Sequence, residues 1–325
     1  MKKIAAVLLM VFIAVSLAAC APNREYMGFG FMGTFYSFKG VGGVEQKELE
    51  KKLLELENLV SVDGELKKIN EAKAGEAVKV DAATYSLIKF AVDFNKNSSA
   101  LDISLYPIVK LWGFDNTFNE NSSLTPPDDQ SITQTLTHVG LDLFEFDDEN
   151  MTVTKKDDLA ALDLGALGKG YAVSYLLEKC GFKEGILNLG GTIGAIGKEY
   201  KVGIEPPFGG ESYFAVFTLK SGEVCSTSGN YQRNYVYEGT LYHHIFGDNG
   251  RPVENSLASV TVVCGSGAAA DALSTACYVL GAEKSKELLD LYDASAVFVY
   301  EDKNVSSYKL DVNVTSKDYK LKVEE

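Results

Sequence analysis

The stretch DLGALGKGYAVSYLLEKCG, at residues 163–181, combines a glycine-rich turn with an apolar helical pattern. Gly165, Gly168 and Gly170 fall within six residues. The apolar positions that follow recur at helical spacing, and Gly181 is a typical stop. The stretch therefore predicts a short glycine loop that leads directly into a helix.

Such a loop has the features of a phosphate site. Unpaired backbone amides and the positive end of a helix dipole both favour an anion, and Lys169 adds a mobile positive charge. The spacing matches neither GxxxxGK[ST] nor GxGxxG after a strand, so those two nucleotide-binding loops are excluded. Two interpretations stay open from this stretch alone, a phosphate-binding loop or an ordinary tight turn.

The N-terminus has the pattern of a lipoprotein signal peptide over residues 1–19. Lys2 and Lys3 precede an apolar run at residues 4–17, which is too short to span a membrane. The run ends in LAAC, a lipobox, so cleavage leaves Cys20 as a lipidated N-terminus. We expect a protein anchored to the cell membrane on its extracytoplasmic side. The alternative is a plain secretory signal with an incidental cysteine.

The net negative charge of the chain restricts the classes of ligand that it can bind. The chain has 31 basic and 45 acidic residues, and removal of the signal leaves a net charge of −16. An acidic surface argues against binding nucleic acid or anionic lipid surfaces. An anionic substrate then requires a local cation.

The remaining cysteines show no metal or disulfide pattern. They are Cys180, Cys225, Cys264 and Cys277. They are scattered, without a CxxC motif, and each adjoins apolar residues. Buried free thiols are the expected state.

The order of elements predicts an α+β fold in one domain. Helices are predicted at residues 44–60, 81–95, 267–280 and 284–291, and hairpins at 143–154 and 229–242. Many strands alternate with helices, but without a regular βαβ rhythm, which argues against a doubly wound sheet. The C-terminal segment is polar and is expected to be peripheral.

The helix predicted at residues 267–280, GAAADALSTACYVL, contains the residues that most clearly indicate a functional site. Asp271 and Thr275 are four residues apart and share one face. A charge among small apolar residues needs a partner. One interpretation is a capping aspartate with a core threonine. The other is a hard-cation site, completed by a backbone carbonyl of the glycine loop, where magnesium takes protein, phosphate and water oxygens.

Two adjacent histidines, His243 and His244, precede a Gly-Asp-Asn-Gly turn. Histidine is the usual acid or base near neutral pH, so one of them is a candidate for proton transfer. The alternative is a solvated strand end. The hydroxyl-rich segment at residues 226–228 is interpreted as a turn that holds a nucleophile or a phosphate, although no GxSxG motif is present.

Seven blocks of the sequence together resemble the ApbE family of FAD:protein FMN transferases. In chain order they are MGT (32–34), ALDISLYPIVKLWGF (100–114), DLGALGKGYA (163–172), ILNLGG (186–191), STSGNY (226–231), HHIFGDNGRPV (243–253) and ADALSTA (270–276). The resemblance implies a single large domain at residues 26–325, built from mixed, mostly antiparallel sheets with packed helices. Residues 20–25 are then a lipid-anchored tether.

The resemblance also implies an activity and a set of site residues. The enzyme would cleave FAD with Mg²⁺, release AMP and attach FMN by a phosphoester to a threonine or serine. The acceptor would be a flavoprotein with an FMN-binding threonine motif, such as a subunit of a membrane redox complex. The implied magnesium ligands are Asp271, Thr275 and the carbonyl of Ala166; the catalytic residues are His244 and Asp271; the FAD contacts are Met32, Ala100, Leu101, Asp102, Lys169, Ala172 and Ile245.

Two other functions use the same residues. A magnesium-dependent FAD pyrophosphatase would release free FMN and AMP, because water would replace the acceptor hydroxyl. A lipoprotein that binds FAD without catalysis would leave FAD intact.

Overall fold

The computed structural model describes residues 21–115 and 123–322. The predicted signal peptide, Cys20, residues 116–122 of a predicted surface loop and the last three residues of the predicted domain lie outside this range. None of the helices in the described part of the chain combines the length and apolarity that crossing a bilayer needs.

The described residues form eight α-helices. They are α1 (Gln46–Val60), α2 (Glu65–Glu71), α3 (Ala82–Asn97), α4 (Tyr106–Leu111), α5 (Asp129–Leu136), α6 (Gly165–Lys179), α7 (Gly267–Leu280) and α8 (Ala282–Leu291). Two 3-10 turns lie at Phe31–Gly33 and Leu141–Leu143.

The same residues form seventeen strands. They are β1 (Asn23–Phe29), β2 (Phe35–Gly42), β3 (Ala77–Lys79), β4 (Phe144–Asp147), β5 (Thr152–Lys155), β6 (Phe182–Leu189), β7 (Thr192–Ile196), β8 (Tyr200–Ile204), β9 (Ala215–Leu219), β10 (Val224–Gly229), β11 (Asn234–Tyr237), β12 (Thr240–His243), β13 (Leu257–Cys264), β14 (Ser295–Tyr300), β15 (Asn304–Tyr308), β16 (Val312–Val314) and β17 (Lys320–Leu321).

A nine-stranded sheet in the order β1-β2-β6-β7-β10-β13-β14-β15-β17 is the centre of the fold. Its neighbouring strands are antiparallel, except for the parallel pair β15–β17. All eight residues of β13 are buried, as expected for a strand covered on both faces. The predicted α+β fold with mostly antiparallel sheets is confirmed.

Different layers cover the two faces of this sheet. The largest hydrophobic cluster joins one face to helices that include α1, α3, α6 and α7. On the other face, a three-stranded sheet in the order β16-β9-β8 packs over a second cluster that contains Phe217 and Val263. A third cluster, around Trp112, joins α4 and α5 to the β11–β12 hairpin.

Helical and hairpin periodicity predicted most of these elements correctly. The predicted helix at 267–280 has those bounds, and the predicted apolar face of α1 is buried. Both predicted hairpins form. The four cysteines are free and buried, as expected.

Two peripheral assignments were wrong. The segment expected to be a tether is part of the sheet from Asn23, because β1 pairs with β2 along its whole length. The C-terminal segment is integral: Val305 of β15 and Val312 of β16 are buried. Both strands are short and mix apolar with polar side chains, so the polar average composition of the segment concealed them.

The expected glycine loop at residues 165–170 is instead the first part of α6, which begins at Gly165. The reason is packing against α7. A methyl group on Gly170 would lie 1.9 Å from the carbonyl oxygen of Gly267, and one on Gly267 would lie 2.0 Å from the carbonyl oxygen of Gly170. The two helices therefore cross with their backbones in contact, and this tertiary requirement overrides the low helix propensity of glycine.

Replacement of Gly170 by alanine tests this crossing. The added methyl group would meet backbone, which cannot move aside cheaply, so we expect a loss of about 3 kcal/mol in the free energy of unfolding. Chemical denaturation of the mature protein measures the change.

Gly168→Ala is the matched control in the same helix. There the methyl group would meet the ends of side chains, Val60 Cγ2 at 2.9 Å and Met32 Sδ at 3.1 Å. These can shift, and alanine gains about 1 kcal/mol of helix propensity over glycine. We expect a loss below about 1 kcal/mol. Equal losses in the two variants would contradict the backbone contact.

Candidate functional site

A cleft with a volume of about 540 Å³ lies at the α6–α7 crossing. Ten of the eleven site residues implied by the resemblance line it: Met32, Ala100, Leu101, Asp102, Ala166, Lys169, His244, Ile245, Asp271 and Thr275. They come from distant segments of the chain, which the fold brings to one place.

Ala172 is the exception. It is 1% exposed and belongs to the hydrophobic core on the inner side of α6. The structure does not bring Ala172 to the cleft with the other ten residues. Its position three residues after Lys169 places it beyond the part of the helix that reaches the cleft.

Asp271 is a buried carboxylate held by neutral donors. The backbone amide of Gly170 donates to Oδ2 at 2.7 Å. Thr192 Oγ1 donates to Oδ1 at 3.1 Å, and Ser226 Oγ donates to the same oxygen. No basic side chain of the described residues forms an ion pair with this carboxylate. Its negative charge is thus oriented but not neutralised by the protein.

The capping interpretation of Asp271 was wrong. Ser266 caps α7 through a bond from the amide of Ala269 to its hydroxyl, whereas Asp271 points across to α6. The segment at residues 226–228 is not a turn but part of β10. Ser226 bonds to Asp271, and Ser228 Oγ lies 3.2 Å from Thr275 Oγ1.

Thr275 and Ala166 line the same cleft as Asp271. Thr275 follows Asp271 by one turn of α7 and supplies a hydroxyl oxygen. Ala166 lies in the first turn of α6 and supplies a backbone carbonyl. A carbonyl oxygen has two lone pairs, so it can contact a cation in addition to a helical hydrogen bond.

This donor set fits Mg²⁺ in chemical type. One carboxylate, one hydroxyl and one carbonyl are hard oxygen ligands, and the cleft leaves room for substrate and water oxygens. The described residues contain no group of three or more His, Cys, Asp and Glu side chains arranged for a metal. Asp271 would be the carboxylate ligand of a cation here, and substrate and water oxygens would complete its coordination.

His243 and His244 have different environments. His243 is buried: Nε2 donates to the carbonyl of Val253 at 3.1 Å, and Nδ1 accepts from the amide of Ile245 at 3.3 Å. Both ring nitrogens are therefore occupied in the structure. His244 lines the cleft instead, and its Nδ1 lies 3.1 Å from the carbonyl of Arg233.

The bond to Arg233 fixes the tautomer of His244. A carbonyl oxygen only accepts, so Nδ1 must carry the proton, and Nε2 of the neutral ring keeps its lone pair. Burial, and then the positive charge of Arg233, lower the pKa of His244 below its ordinary value of 6.5. The ring is thus neutral at pH 7 and Nε2 can accept a proton, while the lowered pKa makes it a weaker base than an ordinary imidazole.

The cleft also holds two basic side chains. Lys169 lies in the second turn of α6, not in a loop, and no ion pair within the described chain engages it. Arg233, which the sequence did not suggest, donates to the carbonyls of Phe114 and Asp115. Burial raises the pKa of nearby Asp163. The two cations offset part of the negative charge of Asp102, Asp163, Glu205 and Asp271, which line the same cleft.

Met32 occupies a strained turn at the edge of the cleft. Its φ is 47°, in the left-handed region that non-glycine residues rarely adopt. Its amide donates to Glu57 Oε1 at 3.1 Å, which holds the turn against α1. Strain of this kind often accompanies a functional site. Asp102, in contrast, bonds to the amide and hydroxyl of its neighbour Ser104.

Comparisons with known proteins identify the class. The sequence model of the ApbE family matches residues 32–298, so the chain belongs to the ApbE family.

Individual relatives agree with this assignment. The chain is similar to the FAD:protein FMN transferase of Haemophilus influenzae, at 27% identity over 94% of this chain and 95% of that protein. It is 33% identical to the FAD:protein FMN transferase of Treponema pallidum over 72% of this chain and 70% of that protein. The crystal structure of the ApbE protein of Thermotoga maritima superposes with a TM-score of 0.76 at 28% identity, covering 91% of this chain and 97% of that one.

The lowered pKa of His244 gives a test by NMR. Because the charged ring is disfavoured, we expect its imidazole nitrogens to keep the neutral, Nδ1-protonated pattern as the pH falls from 8 to 6.5. The change to the charged form should come only below that range. A ¹⁵N titration of the metal-free mature protein measures it.

His244→Gln assigns the signal, since the chain contains only three histidines. The resonance that disappears in this variant belongs to His244. A midpoint at or above pH 6.5 would contradict the lowered pKa of His244. A proton on Nε2 in the neutral ring would contradict the tautomer derived from the Arg233 carbonyl.

Proposed function

We propose that this protein is a magnesium-dependent FAD:protein FMN transferase. It cleaves the pyrophosphate of FAD, releases AMP, and attaches FMN through a phosphoester to a threonine or serine of an acceptor flavoprotein. The observation that carries the proposal is the buried Asp271 carboxylate, which neutral donors orient in a cleft that Ala166 and Thr275 also line. The names of the relatives support the same activity.

The residues of the cleft divide into those that would bind Mg²⁺ and FAD and the one that transfers a proton. Asp271, Thr275 and the Ala166 carbonyl would hold Mg²⁺, which supplies charge neutralisation and polarisation of the pyrophosphate when it is bound. Lys169 neutralises a further phosphate charge. Met32, Ile245 and the segment at residues 100–102 supply the wall against which FAD is positioned.

His244 moves the proton in the transfer step. Nε2 accepts the hydrogen of the acceptor hydroxyl, whose own pKa is too high for ionisation at pH 7. The hydroxyl oxygen forms a new bond to the FMN phosphorus, the P–O bond to the AMP phosphate breaks, and AMP leaves with the electron pair of that bond. The proton on Nε2 then passes to the released phosphate or to solvent.

A transfer assay with Asp271→Asn tests the metal site and the reaction together. Asparagine keeps the shape and can still accept from the Gly170 amide, while its NH₂ group can donate to the hydroxyls of Thr192 and Ser226. We expect the variant to fold like the wild type but to lose Mg²⁺ binding and at least about 100-fold in rate. Mass spectrometry of an acceptor domain with FAD and Mg²⁺ measures the transfer.

The products separate the possible activities. A mass gain of one FMN on the acceptor, lost in Asp271→Asn, supports the transferase. AMP and free FMN without a labelled acceptor would indicate a pyrophosphatase, and FAD that stays intact would indicate a binding protein. Full activity of Asp271→Asn would refute the metal site itself.

We also propose that Cys20 is lipidated and anchors the protein on the extracytoplasmic face of the cell membrane. The basic start, the apolar run and the LAAC sequence support this. The acceptor would then be a flavoprotein of the same compartment, such as a membrane redox subunit.

Metabolic labelling with a fatty acid tests the anchor. We expect the wild type to incorporate label and to fractionate with membranes, and Cys20→Ser to do neither, because the serine hydroxyl does not replace the thiol of a lipobox. Label that persists in Cys20→Ser would contradict the assignment.

A further inference from the structure

A second groove, here called the lateral groove, adjoins the catalytic cleft and has a volume of about 970 Å³. Gly190, Gly191 and Thr227 line both cavities. The lateral groove therefore opens directly onto the site that carries Asp271 and His244. The steps derived above for FAD leave this groove without a role.

One side of the lateral groove is the edge of β8. Val202, Gly203 and Ile204 are consecutive, and all three line it. Successive side chains of a strand point to opposite faces, so three consecutive lining residues place the backbone edge of β8 against the groove. Among the described residues β8 pairs only with β9. Its other edge consequently presents unpaired amides and carbonyls.

The opposite rim is apolar and exposed. Met27 is 76% exposed and Phe35 is 73% exposed, and the two lie near the end of the β1–β2 hairpin. Tyr213, 48% exposed, adds an aromatic ring beside β8. Clustered exposed apolar side chains mark interaction surfaces. A free strand edge beside apolar pockets is the arrangement that binds an extended peptide by strand addition.

We propose that the lateral groove binds the acceptor protein, through an extended segment that pairs with β8. Apolar side chains of that segment contact Met27 and Phe35, and its hydroxyl-bearing residue passes Gly190–Gly191 into the cleft. The five residues of β8 span about 17 Å, enough to align a segment of similar length. This inference rests on the proposed transferase function, which requires a protein substrate to reach the metal site.

The absence of a side chain at Gly191 suits this route. Its φ is 90°, and a methyl group there would meet nothing within 4 Å. A methyl group on Gly190 would instead lie 2.1 Å from Thr34 Oγ1, and Thr34 lines both cavities. The passage is therefore open beside Gly191 and bounded by Thr34 beside Gly190. Thr227 forms part of the other side, and its hydroxyl lies 2.8 Å from that of Thr261.

Steady-state kinetics with the double variant Met27→Ser/Phe35→Ser tests the rim. The probe is the acceptor domain labelled by the wild type in the transfer assay. We expect the KM for this domain to rise at least about tenfold, equivalent to about 1.4 kcal/mol. The Kd for FAD and the AMP release without acceptor should not change, because neither residue lines the catalytic cleft.

Leu54→Ser is the matched control. Leu54 is 66% exposed and lines neither cavity, so its replacement should leave the acceptor KM unchanged. An equal KM in the double variant and the wild type would overturn the groove assignment. A weakened Kd for FAD would overturn it too, because the groove would then hold part of FAD.

Hydrogen exchange tests the pairing with β8 directly. With an acceptor domain in which valine replaces the modified residue, the amides of Tyr200–Ile204 should exchange more slowly than in the free protein. Protection elsewhere without protection of β8 would overturn strand addition. Failure of the wild type to label any acceptor would instead refute the proposed function, so the two failures are distinguishable.

Discussion

The backbone contact between Gly170 and Gly267 is the constraint on which the site depends. It brings α6 and α7 close enough for the Gly170 amide to reach Asp271, which lies one turn beyond Gly267. Together with the hydroxyls of Thr192 and Ser226, that bond orients the carboxylate. Larger residues at either glycine would separate the helices, and the ligand atoms would move apart with them. The close packing of α6 against α7 and the position of Asp271 in the site therefore both depend on the contact between Gly170 and Gly267.

Electrostatics explains what an acidic protein needs in order to hold an anionic substrate. Without the predicted signal peptide the net charge is −16, and Lys169 and Arg233 place two positive charges on the cleft wall. Four carboxylates, those of Asp102, Asp163, Glu205 and Asp271, line the same cleft. Neutral hydroxyls and an amide hold Asp271 without cancelling its charge. A divalent cation held by Asp271, as proposed above, would offset this charge and that of a pyrophosphate.

The sequence alone predicted the parts of the site that share one element. Asp271 and Thr275 could be paired because an i, i+4 spacing places them on one face of a helix. The Ala166 carbonyl came only from the family resemblance, since no periodicity reveals a backbone ligand. Thr192 was missed because its partner Asp271 lies 79 residues away, on a helix that packs against the sheet. Arg233 was missed because His244 lies 11 residues away, across the β11–β12 hairpin. The glycines at residues 165–170 were predicted to form a loop because helix propensity takes no account of packing against a neighbouring helix.

The position of β1 has a consequence for how the enzyme meets its acceptors. The sheet begins at Asn23, and the carbonyl of Pro22 already accepts from the amide of Gly42. With the proposed lipid on Cys20, only two residues separate the anchor from the folded body, a reach of about 7 Å. The enzyme would lie almost against the bilayer and diffuse within its plane. Its search for acceptors would be two-dimensional, confined to proteins that present their modified segment close to the same surface.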